Sequence, residues 1–204
     1  NNNTKILDIG CGRANIISFL HKKYRFTKIP IGVDLIKNDN IKENIIFKKI
    51  DAIKYLKESD KYFDIILIKQ TIHFFSKRKI ITLLNLCKKR LNKKGVFLIL
   101  SLKTKNNQIP SFKLMKKKLD ASLRKDEQIL VLIKRNLKSF EKQKFTYKAV
   151  VKKNDYMKMI KNRFISCLIT LSKKEIFEGI REIKVKFKAL IKFEDTLECI
   201  IYRR

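Results

Sequence analysis

The chain has 204 residues, 45% of them hydrophobic, and carries 50 Lys and Arg against 19 Asp and Glu, a formal net charge of +31. That length can bury a real core and fits one domain, or one domain with an insertion. No apolar stretch approaches the roughly 20 residues that span a bilayer, which excludes a helical membrane protein and predicts a soluble, cytoplasmic chain without a membrane partner.

The charge has two readings. One is an electrostatic footprint for nucleic acid or an anionic surface. The other is composition: Lys far exceeds Arg, and Ile, Asn, Phe and Tyr, all served by AT-rich codons, are abundant. Lys is spread over every predicted helix instead of forming one run with interleaved aromatics, so composition is preferred, and nucleic acid stays open as a partner without being favoured. Cys11, Cys87, Cys167 and Cys199 stand far apart with no C-x-x-C pair and no nearby His. This spacing argues against a metal site and points to a reducing compartment. The first residue is Asn1, with strand one close behind, so a trimmed chain is expected, with an upstream helix or signal left open.

In chain order, residues 5–10 read as a first strand, followed by a helix near 13–24 whose apolar face is Ile16, Ile17, Phe19 and Leu20. "KIPIGVDL" (28–35), "IIFKKIDA" (45–52) and "FDIILIKQ" (63–70) are strands two to four. A helix over 76–91 and "GVFLILSLK" (95–103) as strand five follow. Residues 110–137 read as one or two basic helices, and "KFTYKAVVKK" (144–153) as a strand with one apolar face. Residues 155–186 form a long helical stretch, and "DTLECIIYRR" (195–204) a closing strand. Short β-branched runs alternating with helical periods predict an α/β fold built on a parallel sheet.

In such sheets ligands bind beyond the carboxyl ends of the strands. Those ends carry Asp8, Gly10 and Gly12, then Asp34, then Asp51, then Lys69 and Gln70 through His73. Each Asp taken singly reads as a helix N-cap; three in register with strand ends mark a site. A dinucleotide site wants G-x-G-x-x-G, but the third glycine position is Asn15, and Asp8 would repel a pyrophosphate. A carboxylate there suits a ligand carrying an amino group and a sulfonium.

"LDIGCGRAN", then "VDL", then "IDA" after a third strand resembles the class I S-adenosylmethionine-dependent methyltransferases, of the small-molecule type 11/12-like branch. The likeness covers about residues 4–103, including "LNKKGVFLIL" (91–100), where Lys94 stands at a turn in which the family often has Pro-Gly-Gly. It implies a Rossmann-like, doubly wound, mostly parallel sheet of about seven strands with the last antiparallel, and a helical insertion late in the chain. The expected organisation is one domain: a cofactor core over 4–103, with helical substrate or lid segments over about 104–143 and 154–190. The implied cofactor is S-adenosyl-L-methionine. Its methionine part would rest on the turn of Asp8, Gly10, Cys11, Gly12 and Ala14, with Asp8 near the amino group. Asp34, followed by Leu35, would accept both ribose hydroxyls. Asp51, Ala52 and Ile53 would frame the adenine, and Gln70 would line the exit of strand four. Ala14 stands where the family frequently has glycine, and the helix that commonly precedes strand one is absent from the sequence.

Methyl transfer from a sulfonium needs alignment, exclusion of water and, for some acceptors, a base. His73 in "KQTIHFF" is the expected catalytic residue, as a base or as a donor to the acceptor; packing under Phe74 and Phe75 is the competing reading. His21, beside Lys22 and Lys23, reads as a surface residue. The strand-four exit lacks the Asn/Asp-Pro-Pro-aromatic tetrad that grips a flipped base. The resemblance therefore favours a small-molecule substrate, methylated at oxygen, over an RNA methyltransferase or a non-catalytic cofactor-binding protein. Arg163, with Phe164, Ser166 and Tyr156, is expected to bind an acceptor carboxylate. A monomer or homodimer is expected.

Overall fold

The computed structural model describes residues 2–204. Seven strands form one sheet in the order β3-β2-β1-β4-β5-β7-β6. β1 (Ile6–Ile9), β2 (Ile31–Asp34), β3 (Ile46–Lys49) and β4 (Phe63–Lys69) are short and mostly β-branched. All four residues of β1 are buried, as expected of a central strand covered on both faces. β1 pairs in parallel with β2 on one side (Leu7 opposite Ile31) and with β4 on the other (Leu7 opposite Ile66). The strand order thus reverses at β1 and β4, which opens a crevice beyond their carboxyl ends.

α1 (Asn15–Tyr24), α2 (Ala52–Glu58) and α3 (Lys77–Arg90) connect these strands. α2 was not expected; it begins at Ala52, the last residue read as strand three, whereas β3 ends at Lys49. Asp51 starts it by capping, with Oδ1 accepting from the Ile53 and Lys54 amides at 2.9 and 3.0 Å. β5 (Leu91–Leu102) begins earlier than expected because Leu91 already pairs with Phe63. The register then shifts so that Ile65 meets Val96, and Lys94 absorbs the irregularity at φ 65°.

β7 (Leu190–Arg203) runs opposite to β5: the Lys103 amide donates to Thr196 while the Arg204 amide donates to Gly95. β6 (Glu141–Lys152) ends the order, with the Thr146 and Thr196 hydroxyls 3.0 Å apart. The terminal strands are antiparallel, so the sheet is the expected mostly parallel, doubly wound one.

The chain divides into two compact units. The first holds the chain through Ser101, Ile129–Gln143 and Glu198–Arg204; its core gathers Leu7, Ile9, Ile66, Ile68, Leu83, Phe97, Ile99 and Ile200. The second holds Leu102–Gln128 and Lys144–Leu197, with a core of Phe112, Met115, Leu119, Tyr156, Ile160, Leu168 and Ile183. α4 (Lys113–Leu137) is a single helix of 25 residues, uninterrupted because no Gly or Pro falls within it.

The stretch read as one helix over 155–186 is broken. α5 (Lys153–Lys161) stops where Arg163 adopts φ 53°, a 3-10 turn spans Ser166–Leu168, and α6 (Lys173–Lys186) starts afresh. Ser172 and Glu175 form a capping box at that start, with the Ser172 hydroxyl accepting from the Glu175 amide and the Glu175 carboxylate from the Ser172 amide.

Candidate active site

The turn after β1 is shaped by three residues at positive φ: Gly10 (69°), Gly12 (55°) and Ala14 (58°). The Gly10 and Cys11 amides both donate to the Val33 carbonyl, at 2.8 and 3.2 Å, which ties the turn to the end of β2. A Cβ at Gly10 would come within 2.7 Å of the Thr71 Cβ, so a side chain there would displace the exit of β4. A Cβ at Gly12 would meet nothing within 4 Å. Glycine at that position leaves open the space over the turn where a ligand can approach the backbone. Ala14, where glycine is frequent in the resembling family, pays a left-handed cost of about 1–2 kcal/mol. Its fully buried methyl returns about 0.8 kcal/mol. Burial thus recovers part of the cost.

Asp34 closes the turn. Its Oδ2 accepts the Gly12 amide at 2.9 Å and its Oδ1 the Ile36 amide at 3.0 Å. Each oxygen keeps a further lone pair, so the carboxylate can hold the turn and still accept two hydroxyls. The Ile50 amide donates to the Asp34 carbonyl at 2.9 Å, bringing Asp51 and α2 beside it. The Asp51 cap uses Oδ1 alone, which leaves Oδ2 for a ligand amine. Leu35, 64% exposed, extends the edge as an apolar surface next to these acids.

Asp8 is 3% exposed, opposite Gly32 on one side and Leu67 on the other. Burial pushes its carboxyl up to about 7; the Lys69 ammonium pulls it down and Asp34 pushes it further up. Sequence reasoning placed Lys69 at the end of strand four but gave it no role beside Asp8. A lysine ending an otherwise apolar strand was the available signal. Its Nζ also donates to Gln70 Oε1 at 3.5 Å. Gln70 sits at φ 53° with its amide on the Leu100 carbonyl, and the Thr71 hydroxyl lies 3.0 Å from the Lys69 carbonyl and 3.3 Å from that of Gly10. Cys11 packs over Gly32, where a Cβ would lie 2.7 Å from its sulfur. Burial, with Asp8 and Asp34 adding to it, pushes the thiol up to about 12, so Cys11 is an uncharged packing group.

His73 lies in a 3-10 turn (Ile72–Phe74) just beyond Gln70, half-buried, with its ring 4.2 Å from that of Phe74. Asp8, the glycine turn, Asp34, Leu35, Asp51 to Ile53, Gln70 and His73 thus all belong to the carboxyl edge of the first unit. Tyr156, Arg163, Phe164 and Ser166 belong to the second unit. Tyr156 is a core residue there: fully buried, its hydroxyl donates to the Pro110 carbonyl, and Phe164 packs edge-on at 5.6 Å. Arg163 spends Nη1 on the Leu168 and Ile169 carbonyls, so it closes the 3-10 turn that begins at Ser166.

Open space over Gly12, a buried carboxyl at Asp8 and spare acceptors on Asp34 and Asp51 together fit a cationic, hydroxylated nucleoside. The family described as "Methyltransferase domain" matches residues 1–164, and the chain belongs to it: it is an S-adenosylmethionine-dependent methyltransferase. Solved structures share the fold. A SAM-dependent methyltransferase from Archaeoglobus fulgidus is 22% identical with a TM-score of 0.54, covering 98% of this chain and 86% of its own. The plantazolicin methyltransferase BpumL is 17% identical with a TM-score of 0.52, covering 98% and 77%. A putative sarcosine dimethylglycine methyltransferase from Galdieria sulphuraria is 16% identical with a TM-score of 0.54, covering 98% and 78%. No curated protein matches the chain. Among the described residues no helix is long and apolar enough to cross a membrane.

Proposed function

We propose that the chain methylates a small-molecule acceptor at oxygen, with His73 as the base. The observation that supports this reading is the shared edge: the Gly12–Asp34 link, the Asp8 carboxyl and the β4 exit through Gln70 to His73 all lie at the carboxyl ends of the first unit's parallel strands. S-adenosylmethionine would supply an electrophilic methyl group at this edge. Asp8 would face its amino group, Asp34 would accept the ribose hydroxyls, and Asp51 Oδ2 would accept from the adenine amine, with Ala52, Ile53 and Leu35 against the ring. The backbone of Gly10 to Gly12 would hold the remainder in place.

Such binding contributes alignment, which is most of what an in-line displacement requires of a protein. His73 at the next turn can take a proton from an acceptor hydroxyl, and the exposed Phe74 beside it can cover an apolar acceptor. Two of the solved structures named above carry unlike acceptors in their names, plantazolicin in one and sarcosine and dimethylglycine in the other, so the acceptor has to be read from this chain's own β4 exit. "QTIH" there supports a small acceptor because it offers no proline-aromatic clamp for a base. Arg163 keeps Nε and Nη2 clear of its carbonyl contacts, and with Ser166 and Phe164 it could receive an acceptor carboxylate. Four free cysteines, three of them buried, fit work in a reducing compartment such as the cytoplasm.

Titration calorimetry with S-adenosylhomocysteine tests the donor half. Binding is expected for the native chain, with a loss of 100-fold or more for Asp34→Ala, roughly the cost of two charge-assisted hydrogen bonds. Unchanged affinity in that variant removes the assignment. A panel of hydroxylated metabolites with labelled donor tests the acceptor half, with kcat falling in His73→Asn and donor affinity unmoved.

A further inference from the structure

The strand over 144–153 reads in sequence as having one apolar face, and such a face normally turns to the core. In the structure this holds for only half of it. Ala149 is buried and Val151 half-buried, but Phe145 and Tyr147, next in the same row, are 51% and 72% exposed. β6 is the edge strand of the sheet, so the strip has β7 on one side and no strand on the other. Lys144 and Lys148 flank the two rings on the opposite face, both exposed, with Lys152 further along. Beside Lys148 lies a cleft of about 430 Å³ lined by Gln108, Lys148, Val150, Lys192, Phe193 and Glu194. All of these residues from 144 to 152, the cleft included, belong to the second unit.

Lysines on an edge strand also discourage strand addition, but that role requires no exposed aromatic pair. Two rings on one strand face stand roughly 6.8 Å apart, from about 3.4 Å of rise per residue. Lys144 and Lys148 start from the other face, but β6 ends the sheet, so their long side chains can reach round its open edge; rings at that spacing with ammonium groups along the same edge match a polymer of flat bases on an anionic backbone. Here, then, basic and aromatic residues do interleave, in "KFTYK" (144–148).

We propose that the Phe145–Tyr147 strip of β6, with Lys144 and Lys148, binds single-stranded RNA by stacking bases on the two rings and pairing phosphates with the lysines. Unpaired RNA is the favoured occupant because its bases are free to splay onto a sheet, whereas a duplex hides them. The proposal is independent of the acceptor assigned above, and its failure leaves the donor site untouched.

Fluorescence anisotropy with a short labelled single-stranded RNA of mixed sequence tests it. With a net charge of +31, some salt-sensitive RNA binding is expected whatever the strip does. The discriminating variants therefore keep the charge. Phe145→Ala and Tyr147→Ala should each weaken binding about fivefold or more, since one stacked base is worth at least 1 kcal/mol or so. Phe145→Leu and Tyr147→Leu keep apolar bulk and should lose as much, while Phe145→Tyr and Tyr147→Phe should bind like the native chain. Lys144→Gln with Lys148→Gln should reduce the slope of log affinity against log salt by about 1.4. Native-like RNA affinity in the alanine and leucine variants overturns the proposal, as does equal affinity for duplex RNA. Loss of self-association in sedimentation, or of binding to phosphatidylserine vesicles, with RNA affinity intact assigns the strip to a second copy or to a membrane and overturns it as well. Thermal melts and S-adenosylhomocysteine binding report whether each variant is folded.

Discussion

Asp8 links the site to pH in two opposite ways. Its folded-state carboxyl lies near 7, well above the 3.8 of an unfolded chain. Between those values the folded state holds a proton that the unfolded state has released, so the ligand-free protein loses stability as pH rises through about 4 to 7 and then levels off. A ligand ammonium needs the ionised form. Affinity for S-adenosylhomocysteine should therefore rise with pH, by up to about tenfold per unit below 7, and flatten above it. Calorimetry across that range checks the slope, and Asp8→Asn should remove it while weakening binding throughout. A flat profile in the native chain would separate Asp8 from the ligand amine.

Gly179, in the middle of α6, shows how an element can be fixed by a single contact. A Cβ there would stand 2.6 Å from Cδ2 and Cε1 of the buried Phe112 ring. Alanine would gain about 1 kcal/mol of helix propensity but lose about 1–3 to overpacking. Gly179→Ala should accordingly lower the melting temperature, and Phe112→Leu in the same chain should restore part of the loss. Additive losses in the double variant would mean that the two side chains do not meet. The same helix marks where sequence legibility ended. The first five strands and the acids at their ends were readable because buried parallel strands write continuous apolar runs. The break between α5 and α6 was not, because Arg163 turns the chain at positive φ without a glycine to announce it. The "SKKE" capping box at Ser172–Glu175 did announce the restart, and periodicity alone overlooked it. Lys69 and Thr71 were legible as residues but not as partners of Asp8 and Gly10, since those contacts cross from β4 to β1. The strand over 144–153 was legible, but the exposure of Phe145 and Tyr147 was not, because alternation tells which residues share a face and not how far the core extends beneath it.

At the scale of the molecule, neither core is built from one run of chain. The first draws Leu130, Ile133 and Leu137 from α4 and Ile200 from β7 into a cluster otherwise assembled from the first hundred residues. Ile200 is 2% exposed. Ile200→Asp, which buries an unpaired charge at a cost of several kcal/mol, should abolish cooperative unfolding and cofactor binding together, as read by circular dichroism and calorimetry. Retained cofactor binding would show that the donor edge stands without β7. That strand follows all six others in sequence yet lies between β5 and β6. During synthesis the amino-terminal strands, with every residue proposed for the donor site already made, must wait with the flank of β5 uncovered until β7 leaves the ribosome. A chaperone that shields open sheet edges would meet this chain in that interval, and a ribosome stalled before residue 190 would present it indefinitely.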